Sequence, residues 1–298
     1  MTTTPILPPL DSPIPCPTRD EVPSPADVNA ITSHAAPMSA TDGESIETSA
    51  ADDSSDLAAD QTADDLATLL DDRFVERRDA VLRQDPDGAY RCERRPMTMG
   101  DLRAHVARTA SIGHYMIGPD DRCRLFAYDI DLVDHVTDDF GDYSPRRELS
   151  NLEHREHLVG DLVIVAEGLG RRIRRLYDGV HVAAAFSGNK GVHVYAFTGS
   201  ESAEVVREVA LDVLEDYGFA PTKGKRNFWS LENFPTLEIE PNPKQTTVGD
   251  GFGNGMRLPL GRNFKGGDSF FLRLGTPSRG EFHRMDPRDA LTGRLPWA

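Results

Sequence analysis

The sequence predicts an α+β protein with a mixed central sheet whose strands are joined by long crossover helices. Two runs, 126–132 and 192–197, are apolar and rich in aromatic and β-branched residues, as is typical of buried strands. Two other segments, 146–178 and 201–217, repeat their apolar residues at helical spacing. The first of these helices is long enough to be a crossover. We therefore expect the strand that follows it, 181–186, to run parallel to 126–132.

The first 63 residues differ in composition from the rest of the 298-residue chain. They are rich in Pro, Ser, Thr, Ala and Asp and have almost no aromatic residues, which predicts a disordered acidic tail. They contain eleven acidic residues and one Arg, so −10 of the net charge of −16 lies in the tail and −6 in the remainder. Residues 64–298 are predicted to form one folded domain.

The negative charge of the folded part is unusual for a protein that binds nucleic acid. However, an Asp-rich and Lys-poor composition is typical of proteins from a high-salt cytoplasm, where counterion release contributes little to binding. The sign of the charge therefore does not exclude a nucleic-acid partner.

The composition also bears on location and on metal chemistry. No apolar run approaches the roughly 18 residues that a membrane-spanning helix needs, and the N-terminus lacks the pattern of a signal peptide, so we expect a cytoplasmic protein without a membrane partner. The three cysteines, Cys16, Cys92 and Cys123, are too widely spaced for a disulfide framework or a CxxC zinc site.

The smaller elements follow in order along the chain. A helical stripe is predicted from residue 64 up to the turn at 85–88, and its apolar members are Leu66, Leu69, Leu70, Phe74 and Val81. A strand at 89–94 precedes a helix capped by Thr98, and another strand covers 111–118. Farther on, Ser200 is the predicted cap and Gly218 the predicted end of the helix over 201–217.

Segment 223–229, KGKRNFW, interleaves cations with two aromatic residues. Such a mixture suits a single nucleic-acid strand, because bases stack on rings while cations follow the phosphates. The alternative is a loop whose Phe228 and Trp229 insert into the core. The sequence favours neither.

The strand FAYDIDL carries two acidic residues, Asp129 and Asp131, separated by one position. Side chains alternate between the two faces of a strand, so both carboxylates lie on the same face and repel each other unless a cation binds between them. A hard divalent ion such as Mg²⁺ or Mn²⁺ suits these oxygen ligands. An acidic pair at a strand end that faces water would give the same pattern.

A second polar segment, SGNKG at 187–191, lies between two strands. Its glycines, Gly188 and Gly191, permit a tight turn in which backbone N–H groups, the Ser187 hydroxyl and the Lys190 ammonium point towards a phosphate. His193 follows at the start of the next strand and would reach the same anion. The alternatives are an ordinary hairpin and a buried core histidine.

These motifs resemble those of a known family. FAYDIDL and FSGNKGVHVY are similar to the first two signature motifs of the archaeo-eukaryotic primase superfamily, and LEIEPNPKQ at 237–245 with GFGNGMRLPLG at 251–261 resembles the third motif of the subgroup found in TOTE conflict systems and related mobile elements. The resemblance covers residues 90–267. Together with the composition, it points to a halophilic archaeon or one of its mobile elements as the source.

The resemblance implies a fold and a set of site residues. The fold is the primase palm, an RRM-like mixed sheet with an N-terminal α/β unit. Asp129 and Asp131 would bind two Mg²⁺ or Mn²⁺ ions, and a third acid would complete the set. Glu238 and Glu240 lie on one face of the strand TLEIE, and the family pattern favours Glu240, although Asn242 departs from that pattern and a one-residue slip would select Glu238.

The implied activity is that of a DNA primase-polymerase. Such an enzyme transfers nucleotides from nucleoside triphosphates onto a 3′-hydroxyl on a single-stranded DNA template. Ser187, Lys190 and His193 would hold the triphosphate, and Arg257 is a further candidate for a phosphate or template contact. A helicase or other replication proteins would be encoded separately. The rival hypotheses are a metal-dependent nuclease and a non-catalytic module that binds single-stranded nucleic acid.

Overall fold

A computed structural model describes residues 52–134, 144–275, 279–294 and 296. Most of the predicted disordered tail, residues 1–51, lies outside the described residues. Helix α1 (Asp52–Phe74) begins before the predicted domain boundary, so residue 63 falls inside a helix. No helix in the described part of the chain is long and apolar enough to cross a bilayer.

The N-terminal part of the chain contributes most of a four-stranded sheet, which we call the small sheet. It consists of β1 (Val81–Gln84), β2 (Tyr90–Glu93), β3 (Ser111–Tyr115) and β10 (Gly255–Arg257), in the order β10-β3-β1-β2. Every neighbouring pair in it is antiparallel. Its outer strand β10 comes from late in the sequence, so the two ends of the domain share one sheet.

The prediction that the first helix includes Val81 is wrong. The helix ends at Phe74, and Val81 is the first residue of β1, which pairs with β2 across the turn at 85–88. Spacing alone does not separate a short apolar run in a helix from one in a buried strand. Helix α2 (Met99–Val106) does begin as predicted, because the Thr98 side chain accepts a hydrogen bond from the Asp101 N–H in a capping box.

The second sheet, which we call the large sheet, has seven strands in the order β11-β5-β6-β4-β9-β8-β7. The long strands are β4 (Arg122–Leu132), β5 (His181–Phe186), β6 (Gly191–Ser202) and β9 (Leu237–Asn242), and the short ones are β7 (Ala220–Pro221), β8 (Trp229–Ser230) and β11 (Phe270–Phe271).

The helices α3 (Pro145–Ser150), α4 (Leu152–Leu176) and α5 (Ala203–Tyr217) connect these strands, and α6 (Pro287–Thr292) follows them. The order β4-α4-β5-β6-α5-β9 with β5-β6-β4-β9 in space is the split βαβ arrangement of RRM-like domains. Strand β5 runs parallel to β4, as predicted, but β6 lies between them. In the part of the chain that the structure describes, all hydrogen-bonded neighbours in the large sheet are antiparallel, so the parallel pairing of a mixed sheet is not found, whereas the predicted α+β fold with an RRM-like sheet is confirmed.

Three further predictions change in detail. The predicted single helix over 146–178 is divided at Asn151, which ends α3 and caps α4. Ser200 lies in β6 rather than at a helix start, and Ser202 occupies the N-cap of α5, whereas Gly218 ends that helix in the left-handed region as predicted. In segment 223–229, Trp229 is buried and pairs with Ile239, so for this residue the core interpretation is correct.

The two faces of the large sheet have different partners. Tyr128, on one face of β4, donates a hydrogen bond from its hydroxyl to the Ala210 carbonyl of α5 at 2.7 Å. The other face is covered only in part, because Phe74 at the end of α1 packs edge-on against Tyr195 and Phe197 with centroid distances of 5.0 and 5.2 Å. Phe74 also contacts His114 of the small sheet at 5.8 Å. This one ring therefore joins the two sheets and leaves the far end of the face open.

Two fully buried histidines in the small-sheet region make the stability of the fold depend on pH. Burial lowers the pKa of both His105 and His114 to about 4. As the pH falls below about 6.5, the unfolded chain takes up protons that the folded protein does not, so each histidine lowers the free energy of unfolding by about 1.4 kcal/mol per pH unit until the pH approaches the folded pKa.

We therefore expect the free energy of unfolding to fall between about pH 6.5 and pH 4, and His114→Leu to reduce that slope. The measurement is chemical denaturation across this pH range. The variant Arg91→Leu, on the exposed surface of β2, serves as the control with an unchanged slope. A wild-type protein whose stability is constant over this range would contradict the prediction.

Candidate active site

A cleft of about 460 Å³ opens between the uncovered face of the large sheet and the small sheet. Charged and polar residues line it from both sides. The large sheet contributes Asp129, Asp131, His193, Glu240 and Asn242, and the turn at 187–191 contributes Ser187, Asn189 and Lys190. The small sheet and nearby loops contribute Leu82, Tyr90, Lys244, Arg257, Asn263 and Lys265.

Strand register places the acidic residues side by side on the floor of the cleft. Asp129 lies opposite His193 on β6 and opposite Glu240 on β9. Asp131, two residues farther along β4, lies opposite Gly191 and Glu238. Directly opposed residues on neighbouring strands share a face, so the four carboxylates of β4 and β9 lie on the same face of the sheet as His193 of β6.

The crowding of these carboxylates is reflected in their pKa values. Burial and then the negative charge of Asp129 raise the pKa of Asp131 well above its usual value, against the opposing effect of Lys190. Burial also raises the pKa of Glu240, although Lys244 opposes the rise. For Asp129, burial acts in the same direction, but the positive charges of His193, Lys244 and Arg257 outweigh it and lower its pKa. The mutual repulsion of these carboxylates, which we call the carboxylate row, therefore favours the binding of a cation.

Each carboxylate faces a basic side chain. Glu240 lies 2.6 Å from Lys244, Glu238 lies 2.5 Å from Lys225, and Asp129 Oδ1 lies 3.2 Å from His193 Nε2. Lys190 Nζ is 3.7 Å from Asp131 and 2.8 Å from Asp134. These ammonium and imidazole groups occupy the positions around the acids that a metal ion would take.

Two neighbouring side chains hold the imidazole ring of His193, one at each ring nitrogen. Its Nδ1 atom lies 2.9 Å from the hydroxyl of Tyr195, which is two residues farther along β6 and almost completely buried. Because the other ring nitrogen faces Asp129, the imidazole is held between a buried phenol and a carboxylate. The predicted alternative of a core histidine bound to a backbone carbonyl does not describe this position.

The turn at 187–191 is closed by its own backbone. The Ser187 N–H donates to the Gly191 carbonyl at 2.9 Å, and the Ser187 hydroxyl accepts from the Gly191 N–H at 3.3 Å. Gly188 has φ +81°, where a side chain is strained, and a Cβ atom there would lie 2.5 Å from the Gly267 carbonyl oxygen. Gly191 is needed for a different reason, because a Cβ atom would lie 2.0 Å from Asp131 Oδ1.

A segment that the sequence analysis did not single out, 261–268, clamps this turn. The Gly267 N–H donates to the Gly188 carbonyl at 2.5 Å, and the Asn263 side-chain amide donates to the Ser187 carbonyl at 3.3 Å. Gln84 of β1 donates to Asn263 Oδ1 at 3.2 Å, which ties the segment to the small sheet. The carbonyls of Ser187 and Gly188 thus accept hydrogen bonds from this segment.

The N–H groups of the same turn are not occupied in this way. Among the residues that the structure describes, the amides of Gly188, Asn189 and Lys190 have no hydrogen-bond acceptor. Consecutive amides around a residue with positive φ form an anion-binding nest. Asn189 and Lys190 also line the cleft, so these free amides are candidates for binding an anion there.

Arg257 completes this positive end of the cleft. It is buried, with 6% of its surface exposed, and donates from Nη2 to the Ser187 carbonyl. Its Nη1 atom is also buried but has no hydrogen-bond partner among the described residues. A buried guanidinium nitrogen without an acceptor is costly, so this atom is a second indication of a missing anion.

The structure thus places nearly all the predicted site residues in one cleft. Asp129, Asp131, Glu240, Ser187, Lys190, His193 and Arg257 line it, and Gly188 and Gly191 shape the turn. Glu238 shares the face but does not line the cleft. The sequence analysis assigned no role to Tyr90, Asn263 and Lys265, and only the polarity and glycine content of 261–268 hinted at the last two.

The residues present fit a hard divalent cation. Asp129, Asp131 and Glu240 offer oxygen ligands whose mutual repulsion a divalent ion would relieve. Within the described part of the chain, no three carboxylate, imidazole or thiol groups converge on one point. The carboxylates would therefore have to turn away from Lys190, Lys244 and His193 to share an ion.

The clamp on the turn can be tested without reference to function. Asn263→Ala removes the side-chain amide that joins Gln84 to the Ser187 carbonyl, so we expect faster hydrogen exchange of the Ser187 and Gly191 amides, which are bonded within the turn, and a loss of about 1–3 kcal/mol in the free energy of unfolding. The matched control is Asn189→Ala at the tip of the same turn. Equal exchange in both variants would show that the clamp does not hold the turn.

Comparison with known proteins agrees with this geometry. The family model described as the TOTE conflict system, archaeo-eukaryotic primase domain, matches residues 88–278. A search of curated proteins gave no match to this chain. The matched segment covers well over half of the sequence and contains the carboxylate row, the turn at 187–191 and Arg257. The chain therefore belongs to the archaeo-eukaryotic primase domain family of TOTE conflict systems.

Proposed function

We propose that this protein is a DNA primase-polymerase that transfers nucleotides from nucleoside triphosphates onto a 3′-hydroxyl, with single-stranded DNA as the template. The observation that carries the proposal is the presence of an anion nest and a carboxylate row in one cleft. A polyphosphate needs donors of positive character, and a divalent cation needs carboxylates. A metal-bound nucleoside triphosphate needs both groups within one site.

The triphosphate would bind at the positive end of the cleft. The free amides of Gly188, Asn189 and Lys190 supply hydrogen-bond donors whose use costs no side-chain entropy. Arg257 Nη1 supplies a buried, charged hydrogen-bond donor. Lys190 contributes an ammonium group that now contacts Asp131 and Asp134. The Ser187 hydroxyl already accepts from the Gly191 N–H, so we assign Ser187 mainly to holding the turn.

Asp129, Asp131 and Glu240 are the proposed ligands of two Mg²⁺ or Mn²⁺ ions. We favour Glu240 over Glu238 because Glu240 lines the cleft opposite Asp129, whereas Glu238 is paired with Lys225 outside it. Two divalent ions bound there would lower the pKa of the attacking 3′-hydroxyl and stabilise the departing pyrophosphate. The Nε2 atom of His193, whose ring is held by the Tyr195 hydroxyl, faces Asp129; it would donate to a phosphate oxygen only after that carboxylate has turned to a metal ion.

The rival hypotheses fit the cleft less well. A nuclease would use the same carboxylates on a phosphodiester, but it has no need for three free amides and a buried arginine arranged for further phosphate oxygens. A binding module without catalysis would gain nothing from a row of carboxylates beside a phosphate backbone.

The replication partners, the cytoplasmic location and the origin in a halophile or a mobile element are further proposals, which rest on composition and resemblance.

The principal test is nucleotide incorporation on single-stranded DNA. Wild-type protein is expected to extend a labelled primer with Mg²⁺ or Mn²⁺ at high potassium chloride, and Asp129→Ala/Asp131→Ala is expected to abolish product, because the acidic row then lacks its central members. A reaction without primer separates priming from extension. The same gel reports nuclease activity as shortened primer.

The double variant needs a control with equal loss of charge. Asp212→Ala/Asp216→Ala, on α5 behind the sheet, removes two carboxylates far from the cleft and should keep activity. Wild-type protein that binds the strand but adds no nucleotide over a range of salts and metals would overturn the enzyme hypothesis in favour of the binding module.

A second test distinguishes the two candidate third acids. Glu240→Gln should lower incorporation by more than the roughly 10- to 100-fold that loss of an outer-shell partner costs, because it removes a proposed ligand. Glu238→Gln, opposite Asp131 but outside the cleft lining, should lower it by about 10-fold at most. The measurement is the initial rate as a function of Mn²⁺ concentration. The reverse ranking of the two variants would assign the role to Glu238.

A further inference from the structure

The small sheet forms one wall of the cleft, where Leu82, Tyr90, Gly255 and Met256 lie beside Arg257. Leu82 of β1 lies opposite Gly113 of β3. The Leu82 side chain also packs over Gly255 of β10, since a Cβ atom at either glycine would lie 2.8 Å from Leu82 Cδ2. The two glycines therefore let Leu82 lie flat against the small sheet. A wider residue at 113 or 255 would lift it into the cleft.

Tyr90 extends this wall at the outer strand of the small sheet. It lies opposite Gln84, two positions from Leu82, so its ring is on the same face. Forty per cent of its surface is exposed, which is uncommon for a large ring in a polar cleft. Among the described residues that line the cleft, it has the only aromatic ring apart from the His193 imidazole.

The surroundings of Tyr90 connect this wall with the anion site. Burial raises the pKa of the Tyr90 hydroxyl, and the charge and hydrogen bonding of nearby Arg257 oppose that rise. Tyr90 and Arg257 both line the cleft. Lys265 Nζ lies 6.0 Å from the centre of the Tyr90 ring. The ring thus lies between a cation at the mouth of the cleft and Arg257 farther inside.

We infer that Tyr90 and Leu82 form a stacking platform for the base of the nucleoside triphosphate whose phosphates bind at the turn and Arg257. The inference rests on the proposed function and adds a binding role to the N-terminal unit. A nucleotide carries one flat aromatic group and one polyanion, and the cleft offers one exposed aromatic ring and, beside Arg257, a turn with free amides.

The platform has a consequence for selectivity. Stacking depends on the π-face that every base presents, so it does not discriminate between the bases. The platform should therefore distinguish a nucleotide from a bare polyphosphate but treat purine and pyrimidine nucleotides alike. The choice of base would be left to pairing with the template.

The experiment compares dATP, dTTP and inorganic tripolyphosphate by calorimetric titration at a matched concentration of free Mg²⁺. Wild-type protein is expected to bind both nucleotides more tightly than tripolyphosphate. Tyr90→Ala should weaken both nucleotides by about 5- to 100-fold, as expected for loss of base stacking, and leave tripolyphosphate unchanged. Tyr90→Phe should behave as the wild type, because the ring is retained.

The control is Ile164→Ala, which truncates an exposed apolar side chain on α4 outside the cleft and should change none of the three affinities. Equal weakening of tripolyphosphate by Tyr90→Ala would overturn the platform, because the ring would then act through Arg257. A wild-type protein that binds tripolyphosphate as tightly as the nucleotides would also overturn it and leave the proposed function intact. A wild-type protein that binds none of the probes would overturn both.

Discussion

The cleft depends on one physical constraint, which is the electrostatic repulsion among the carboxylates on one face of the large sheet. The register of β4 with β6 and β9 brings Asp129, Asp131 and Glu240 together on an open face, where partial burial makes their shared charge unfavourable. Basic side chains from three different segments offset that charge, and the fold holds them there. The same face is apolar farther along, where Phe74 covers Tyr195 and Phe197. Strand β6 thus passes from the cleft to the hydrophobic core within a few residues.

Much of this arrangement could be predicted from the sequence, because it depends on short-range periodicity. A two-residue alternation is enough to place Asp129 with Asp131, and Glu238 with Glu240, on common faces. The choice between Glu238 and Glu240 could not be made in this way, because it depends on how far β9 slides along β4 and on which acid Lys225 pairs with. Such register is set by contacts distant in sequence.

The residues that the sequence does not identify correctly also depend on contacts between segments that are distant in sequence. The helical spacing predicts the wrong element for Val81 because the pairing of this residue with Glu93 of β2 is not encoded in local spacing. Asn263 and Tyr90 each occupy an unremarkable local sequence, and they acquire a role only when β10 and segment 261–268 close over the turn at 187–191. Arg257 was identified as a candidate, but its burial and its bond to the Ser187 carbonyl follow from this closure alone.

The small sheet is completed by a strand from the opposite end of the domain, since β10 pairs with β3 across more than half of the described chain. During synthesis, the N-terminal strands must wait for the later segment before their outer edge is covered. The small-sheet wall of the cleft is consequently incomplete until residues 255–257 have been synthesised. A gene fragment that encoded only one half of the domain could not produce the cleft, because neither half contains both the acidic residues and all the strands of the small sheet.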